Sequence, residues 1–235
     1  MLSVVCFNTL VYAALSTLPA AEGAMIHAAT PFVTMVVSAL LLGERFCLCQ
    51  ISGAILSFSG ALLVIGTGAV AWSYTSGDSL MLLTVVIWAF YSVLLKLRPP
   101  ELPPGVLLLA VIAVGVVVQT PLYLAVGAPV TLLIHSSGTI LCFMVYLGVV
   151  ASALAYWLWD KGVAAVGPAV ACQFFHVVPL AAAILAWSYL GETMSTQQLG
   201  GGCLVLLGIV CTWSRPGKRR HAPAEHAGGR LPAPR

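Results

Sequence analysis

The sequence predicts an all-α, polytopic membrane protein, an inverted-repeat helical bundle of about eight transmembrane helices. Three observations predict it. Of the 235 residues, 60% are apolar and only 7% charged, with a mean hydropathy of +1.04; a soluble domain carries about 25% charge to wet its surface. Apolar runs of spanning length recur along the chain, broken only at Pro, Gly or a charge. They lack the period of two that barrel strands would show.

The first run, 2–18, has no basic residue before it, and the first Lys or Arg in the chain is Arg45. A cleaved signal peptide opens on a basic stretch, so this run reads as a helix. The second, 23–42, carries Pro31 and closes on Leu42-Gly43-Glu44, a helix end suited to a left-handed glycine. The third, 51–70, holds Gly53 and Gly60 on one face with Ser57 between, a spacing for close helix packing in lipid. The fourth, 79–95, follows Gly77-Asp78, and the fifth spans 106–126. The sixth, 139–159, stops at Asp160-Lys161, adjacent charges expected to form an interfacial pair at a helix end. The seventh, 166–190, carries Pro179 and closes on Leu190-Gly191-Glu192; the eighth, 199–213, is short and joined to Gln197-Gln198. Beyond it, 214–235 is rich in Pro, Gly, Ala and basic residues and reads as a disordered basic cytoplasmic tail.

Charge sets the orientation. With eight spans, Arg45, Lys96, Arg98, Lys161 and the six basic residues after Trp213 all fall on one side, and the opposite loops hold none. The basic side faces the cytoplasm, so both termini are cytoplasmic, and the expected location is a bacterial inner membrane. The net charge of +3 gives no ground for nucleic-acid binding, since the basic residues gather in the tail. Seven cysteines, at 6, 47, 49, 142, 172, 203 and 211, have no framework spacing and read as small hydrophobes. No metal or cofactor is expected.

The chain also repeats itself. At a constant offset of 148, Pro31 matches Pro179, Leu42-Gly43-Glu44 matches Leu190-Gly191-Glu192, and Gln50, Gly53, Leu56 and Gly60 match Gln198, Gly201, Leu204 and Gly208. The unit is three spans, and the second copy begins five spans after the first. Five is odd, so the copies have opposite topology, an architecture that alternating-access carriers use around a central site.

This pattern of a mid-helix Pro, L-G-E at the helix end, then Q-x-x-G and a second Gly seven on, present twice in register, resembles the EamA-type branch of the drug/metabolite transporter superfamily. Gly77-Asp78-Ser79 with Trp88-Ala89-Phe90-Tyr91 is similar to the opening helix of a family half. The resemblance covers about 2–213 and implies ten helices in two halves of five. On that frame 1–70 is a partial first repeat of three helices and 79–213 a complete second repeat. Two spans are expected to be missing before Met1, through a truncated or misassigned start, with a homodimer or a partner chain as a source of the missing helices.

Carriers of this kind need few polar groups, set at membrane depth on cavity-facing sides. Asn8, Tyr12, His27, Thr30, Trp88, Tyr91, Tyr156, Gln173 and His176 are the cavity candidates. His27, Thr30 and Thr34 share a helix face, as do Gln173 and His176; hydrogen bonding to neighbouring helices is the competing role for the histidines. Pro31 and Pro179 are hinge candidates, each freeing a carbonyl four residues earlier, at His27 and Phe175. No Asp or Glu falls within a run, which argues against a carboxylate relay.

A secondary, non-ATP transporter follows, exporting or exchanging a small metabolite or drug-like solute by alternating access across the lipid bilayer. A sugar-phosphate or nucleotide-sugar carrier is one alternative, though basic residues sit only at span ends; a truncated, inactive scaffold or pseudo-transporter is another. No H-E-x-x-H or G-x-S-x-G points to an enzyme.

Overall fold

The structure, a computed structural model, describes residues 2–66, 75–98, 104–125, 137–191 and 193–213. They fold into eight helical rods: α1 (2–15), α2 (Ala20–Leu42), α3 (Leu48–Ile65), α4 (Ser76–Lys96), α5 (Pro104–Ala125), α6 (Gly138–Val166), α7 (168–190) and α8 (Thr196–Trp213). Six of these are long and apolar enough to cross a membrane, and α1 and α5 are apolar over Val5–Leu15 and Gly105–Pro121. The protein is an integral membrane bundle. Its outward-facing Leu, Val, Ile and Phe side chains are in the solvent they suit, acyl chains. The expected tail over 214–235, the end of the third run and Glu192 lie outside the described residues.

The repeat is visible in how helices begin and end. α3 and α8 occupy equivalent ranges at the offset of 148, and both start on a capping box. In one, the backbone N–H of Cys47 donates to Gln50 Oε1 at 3.0 Å; in the other, Ser195 N–H donates to Gln198 Oε1 at 2.9 Å and Gln198 N–H returns a bond to Ser195 Oγ at 3.1 Å. The matched glutamines therefore satisfy orphan donors at helix starts. α2 and α7 both end on a left-handed glycine, Gly43 at φ 64° and Gly191 at φ 69°. No atom lies within 4 Å of a Cβ at either place, so the need for glycine there is conformational.

α3 and α8 cross antiparallel with their backbones in contact. A Cβ on Gly60 would lie 2.5 Å from the Gly201 carbonyl oxygen, and one on Gly208 would lie 2.5 Å from that of Gly53. Exchanging each residue for its image in the other repeat turns one contact into the other. The crossing thus maps onto itself, as two inverted copies about a shared axis must. Lipid offers apolar side chains no reason to leave it, so this backbone approach, with its dispersion contacts, holds the pair.

α2 and α7 are both interrupted. α2 runs Ala20–His27, breaks at Ala28-Ala29, and resumes over Thr30–Leu42 with Pro31 in its first turn; α7 runs Pro168–Gln173, passes a 3₁₀ turn at Phe174–His176, and resumes over Val177–Leu190 with Pro179 two residues in. The prolines begin the second segment rather than kink a continuous rod. Proline has no N–H to give, and the first turn of a helix is where none is required. α4 packs along α1 and α2 through Ala14, Leu18, Ile26, Met81 and Val85.

One boundary differs from expectation. The sixth run does not stop at Trp159: α6 continues through Asp160 and Lys161 to Val166, with a π-helical stretch at Val149–Leu154. Both charges are accommodated within the helix. Asp160 is 3% exposed and accepts a hydrogen bond from the Tyr91 hydroxyl at 3.0 Å, while Lys161 Nζ sits 3.7 Å above the Trp157 ring. The two side chains take different partners and are not an ion pair with each other.

Candidate functional site

Two polar and aromatic assemblies meet where the broken helices face each other. The first is a seam between the repeats. His176, fully buried, donates from Nε2 to the Ala28 carbonyl at 2.8 Å. That carbonyl is free because α2 breaks there: the Phe32 N–H, its helical partner, donates to Ala29 instead. The carbonyl of His27, the one that Pro31 releases, is taken by the Thr30 hydroxyl at 2.6 Å. On its other side, His176 Nδ1 lies 2.7 Å from Ser57 Oγ in α3, which also lies 3.1 Å from Gln173 Oε1 and 3.1 Å from the Ala54 carbonyl. One hydroxyl proton serves three acceptors, so Ser57 has alternative bonds of similar length to choose between. Beside the seam, Thr34 Oγ1 lies 2.9 Å from the Thr30 carbonyl and 3.2 Å from Cys172 Sγ.

The second assembly is aromatic. Trp88 of α4 stands at its centre, with Phe7 (4.8 Å between ring centroids), Trp159 (5.2 Å), Tyr91 (5.5 Å), Phe175 (5.5 Å) and Tyr156 (5.9 Å) around it. The rings come from α1, α4, α6 and α7, so both repeats contribute. His27 closes one side, edge-on to Phe7 at 5.7 Å and hydrogen-bonded through Nε2 to Thr84 Oγ1 at 3.1 Å. Asn8 hydrogen-bonds Tyr156. The indole Nε1 atoms of Trp88 and Trp159 are buried without a hydrogen-bond partner among the described residues. Orphaned buried donors are uncommon in folded proteins and call for an explanation.

The sequence candidates divide accordingly. Trp88, Tyr91, Tyr156, Asn8 and His27 come together in the aromatic assembly, and Gln173 and His176 in the seam. Thr30 is fully buried and committed to its own helix. The His27-Thr30-Thr34 face is interrupted by the helix break. Tyr12 is 73% exposed, its ring directed outward. Trp159 and Asp160 are not among the sequence candidates because Asp160-Lys161 reads as a span end, nor are Phe7 and Phe175, because nothing in an apolar run separates a clustered ring from a lipid-facing one.

Helical repeats that meet at broken helices within a polytopic bundle are the architecture of a membrane carrier. The family model for the EamA-like transporter family matches residues 1–66 and 75–214, and the chain belongs to that family. It is a transporter-family protein rather than an enzyme. It is 27% identical over 210 residues to "Uncharacterized transporter YyaM" of Bacillus subtilis (strain 168), covering 87% of this chain and 68% of that one. It is also 27% identical over 209 residues to the "Probable terminal-alkyne amino-acid exporter" of Streptantibioticus cattleyicolor, again covering 87% and 68%. A crystal structure shares the fold with a TM-score of 0.73 at 20% identity, over 88% of this chain and 71% of that one.

Proposed function

We propose that this transporter moves a small organic solute out of the cell by alternating access, with the aromatic assembly as its binding chamber. The observation that carries the reading is the hydrogen bond from His176 to the Ala28 carbonyl. It ties the two helix breaks together at the repeat axis, beside the chamber. Helix interruptions at membrane depth leave backbone groups that must be satisfied from a neighbour or a ligand, and inverted units rocking about a shared axis expose such a place to each side in turn. The relative described as a probable amino-acid exporter supports outward movement of a small solute. The ten-to-none distribution of Lys and Arg supports cytoplasmic termini in a bacterial inner membrane. Lys161 Nζ sits on the Trp157 ring and Lys96 Nζ donates to the Ala164 carbonyl, engagements that disfavour a phosphorylated solute.

The test needs no identified solute. Leu108 of α5 packs against the ring cluster. A single cysteine there, in a full chain otherwise lacking cysteine, is expected to react with a membrane-impermeant maleimide from either face of sealed vesicles. Reaction from one face alone, in folded protein, would overturn alternating access.

A further inference from the structure

We infer that the chamber recognises an organic ammonium that also bears a hydrogen-bond-accepting oxygen, with the cation between the faces of Trp88, Tyr91, Tyr156 and Trp159 and the Asp160 carboxylate. The inference rests on the transport reading above and names its solute class.

Three features of the same cluster converge on this chemistry. The first is Asp160. A carboxylate only 3% exposed on an apolar helix is costly unless it is paired or hydrogen-bonded. It accepts a hydrogen bond from the Tyr91 hydroxyl, and among the described residues it has no ion-pair partner. The cations nearby are engaged elsewhere: Lys161 lies on Trp157, Lys96 Nζ donates to the Ala164 carbonyl at 3.1 Å, and Arg98 acts on Asp160 only through space.

The second feature is the ring set. The electron-rich faces of Trp and Tyr attract cations, the more so when water is excluded. Tyr91 joins ring and charge in one residue, for its ring contacts Trp88 and Tyr156 while its hydroxyl holds Asp160.

The third feature is the pair of orphan donors. The indole N–H groups of Trp88 and Trp159 are buried with no acceptor among the described residues, and their rings lie 5.2 Å apart. An oxygen on the solute would satisfy them. An ammonium answers the carboxylate, an oxygen answers the indoles, and an apolar body fits the rings. An anionic solute would meet Asp160 with like charge, and a hydrocarbon would leave all three polar groups as they are. In this state the rings pack against one another, so entry must part Trp88 from Trp159 and change their fluorescence.

The experiment uses the full chain in lipid nanodiscs and three probes of one shape: phenylalaninol (ammonium and hydroxyl), 3-phenylpropan-1-ol (neutral) and 3-phenylpropionate (anionic). Phenylalaninol is expected to change tryptophan fluorescence saturably and to bind at least about tenfold tighter than the other two. Asp160→Asn should remove that preference while leaving the neutral probe unchanged, and Asp160→Glu should keep it within about threefold, which separates lost charge from lost fold. Equal binding of all three probes, no binding of phenylalaninol, or an undiminished preference in Asp160→Asn overturns the inference. Flux of the same probes in proteoliposomes separates the two readings. Binding of phenylalaninol without movement would count against transport and leave the ammonium site standing. Preferred movement of the neutral or anionic probe would leave transport standing and remove the ammonium site.

Discussion

His176 and Ala28 occupy the same position in the two repeats, 148 residues apart, and are joined by a 2.8 Å hydrogen bond. Equivalent residues of inverted copies can touch only at the axis that relates them. The copies have specialised there. One supplies an imidazole, and the other a bare backbone carbonyl with a methyl side chain that leaves room for it.

That relationship makes the seam sensitive from both sides. His176→Ala strands the Ala28 carbonyl and removes a partner of Ser57, and a buried polar group left unsatisfied costs about 1–3 kcal/mol. The purified variant is expected to melt several degrees lower. In a double-mutant cycle with Ser57→Ala, the two losses should sum to more than the double variant loses, because the residues share one bond. Strict additivity in the melting data would show that the seam is not a unit.

The glycine crossing should refuse even a methyl group. At Gly60 the obstructing atoms are the Gly201 carbonyl oxygen at 2.5 Å and the Val205 nitrogen at 2.7 Å, both backbone, which cannot turn aside as a side chain can. Gly60→Ala is expected to cost about 1–3 kcal/mol. Gly105→Ala, at a position with no atom within 4 Å of the added carbon, should leave the melting temperature nearly unchanged. Equal behaviour of the two variants would mean that α3 and α8 do not meet in this way.

The two capping boxes differ in one atom. Ser195 caps α8 with oxygen, whereas Cys47 caps α3 with sulfur, a weaker acceptor. Cys47→Ser is expected to raise stability by up to about 1 kcal/mol, and Ser195→Ala to lower it by about 0.5–2 kcal/mol. Thermal unfolding in detergent, followed by fluorescence, checks both signs.

The ends of the helices were readable from local chemistry. Leu-Gly-Glu placed the left-handed caps, and the fixed offset paired Gly53 with Gly201 and Gly60 with Gly208 before any contact was known. The inside of the site was less readable, for a reason that Asp160 makes plain. Sequence reveals which residue types lie on a helix and at what period, but not which neighbour a given face meets. A charge near the end of an apolar run is ordinarily open to water; Asp160 is instead buried in the protein, where Tyr91, from 69 residues earlier in the chain, brings a hydroxyl to it. The seam was hidden likewise. Ser57 looked like a small residue between two packing glycines, and it is also the junction of the hydrogen bonds around His176. Tyr12 is a ring of suitable type whose exposure, 73%, could not be read from its run.

The reciprocal fit of Gly53 with Gly208 and of Gly60 with Gly201 constrains how this chain can change over time. After a duplication, two copies are ordinarily free to drift apart, since either can absorb a change without consulting the other. Here each copy is the wall against which the other is measured. A bulkier residue in one has no remedy within its own helix and can be accommodated only by a compensating withdrawal in its twin. The halves can diverge in every feature that faces the solute or the lipid, but along this line they inherit as one.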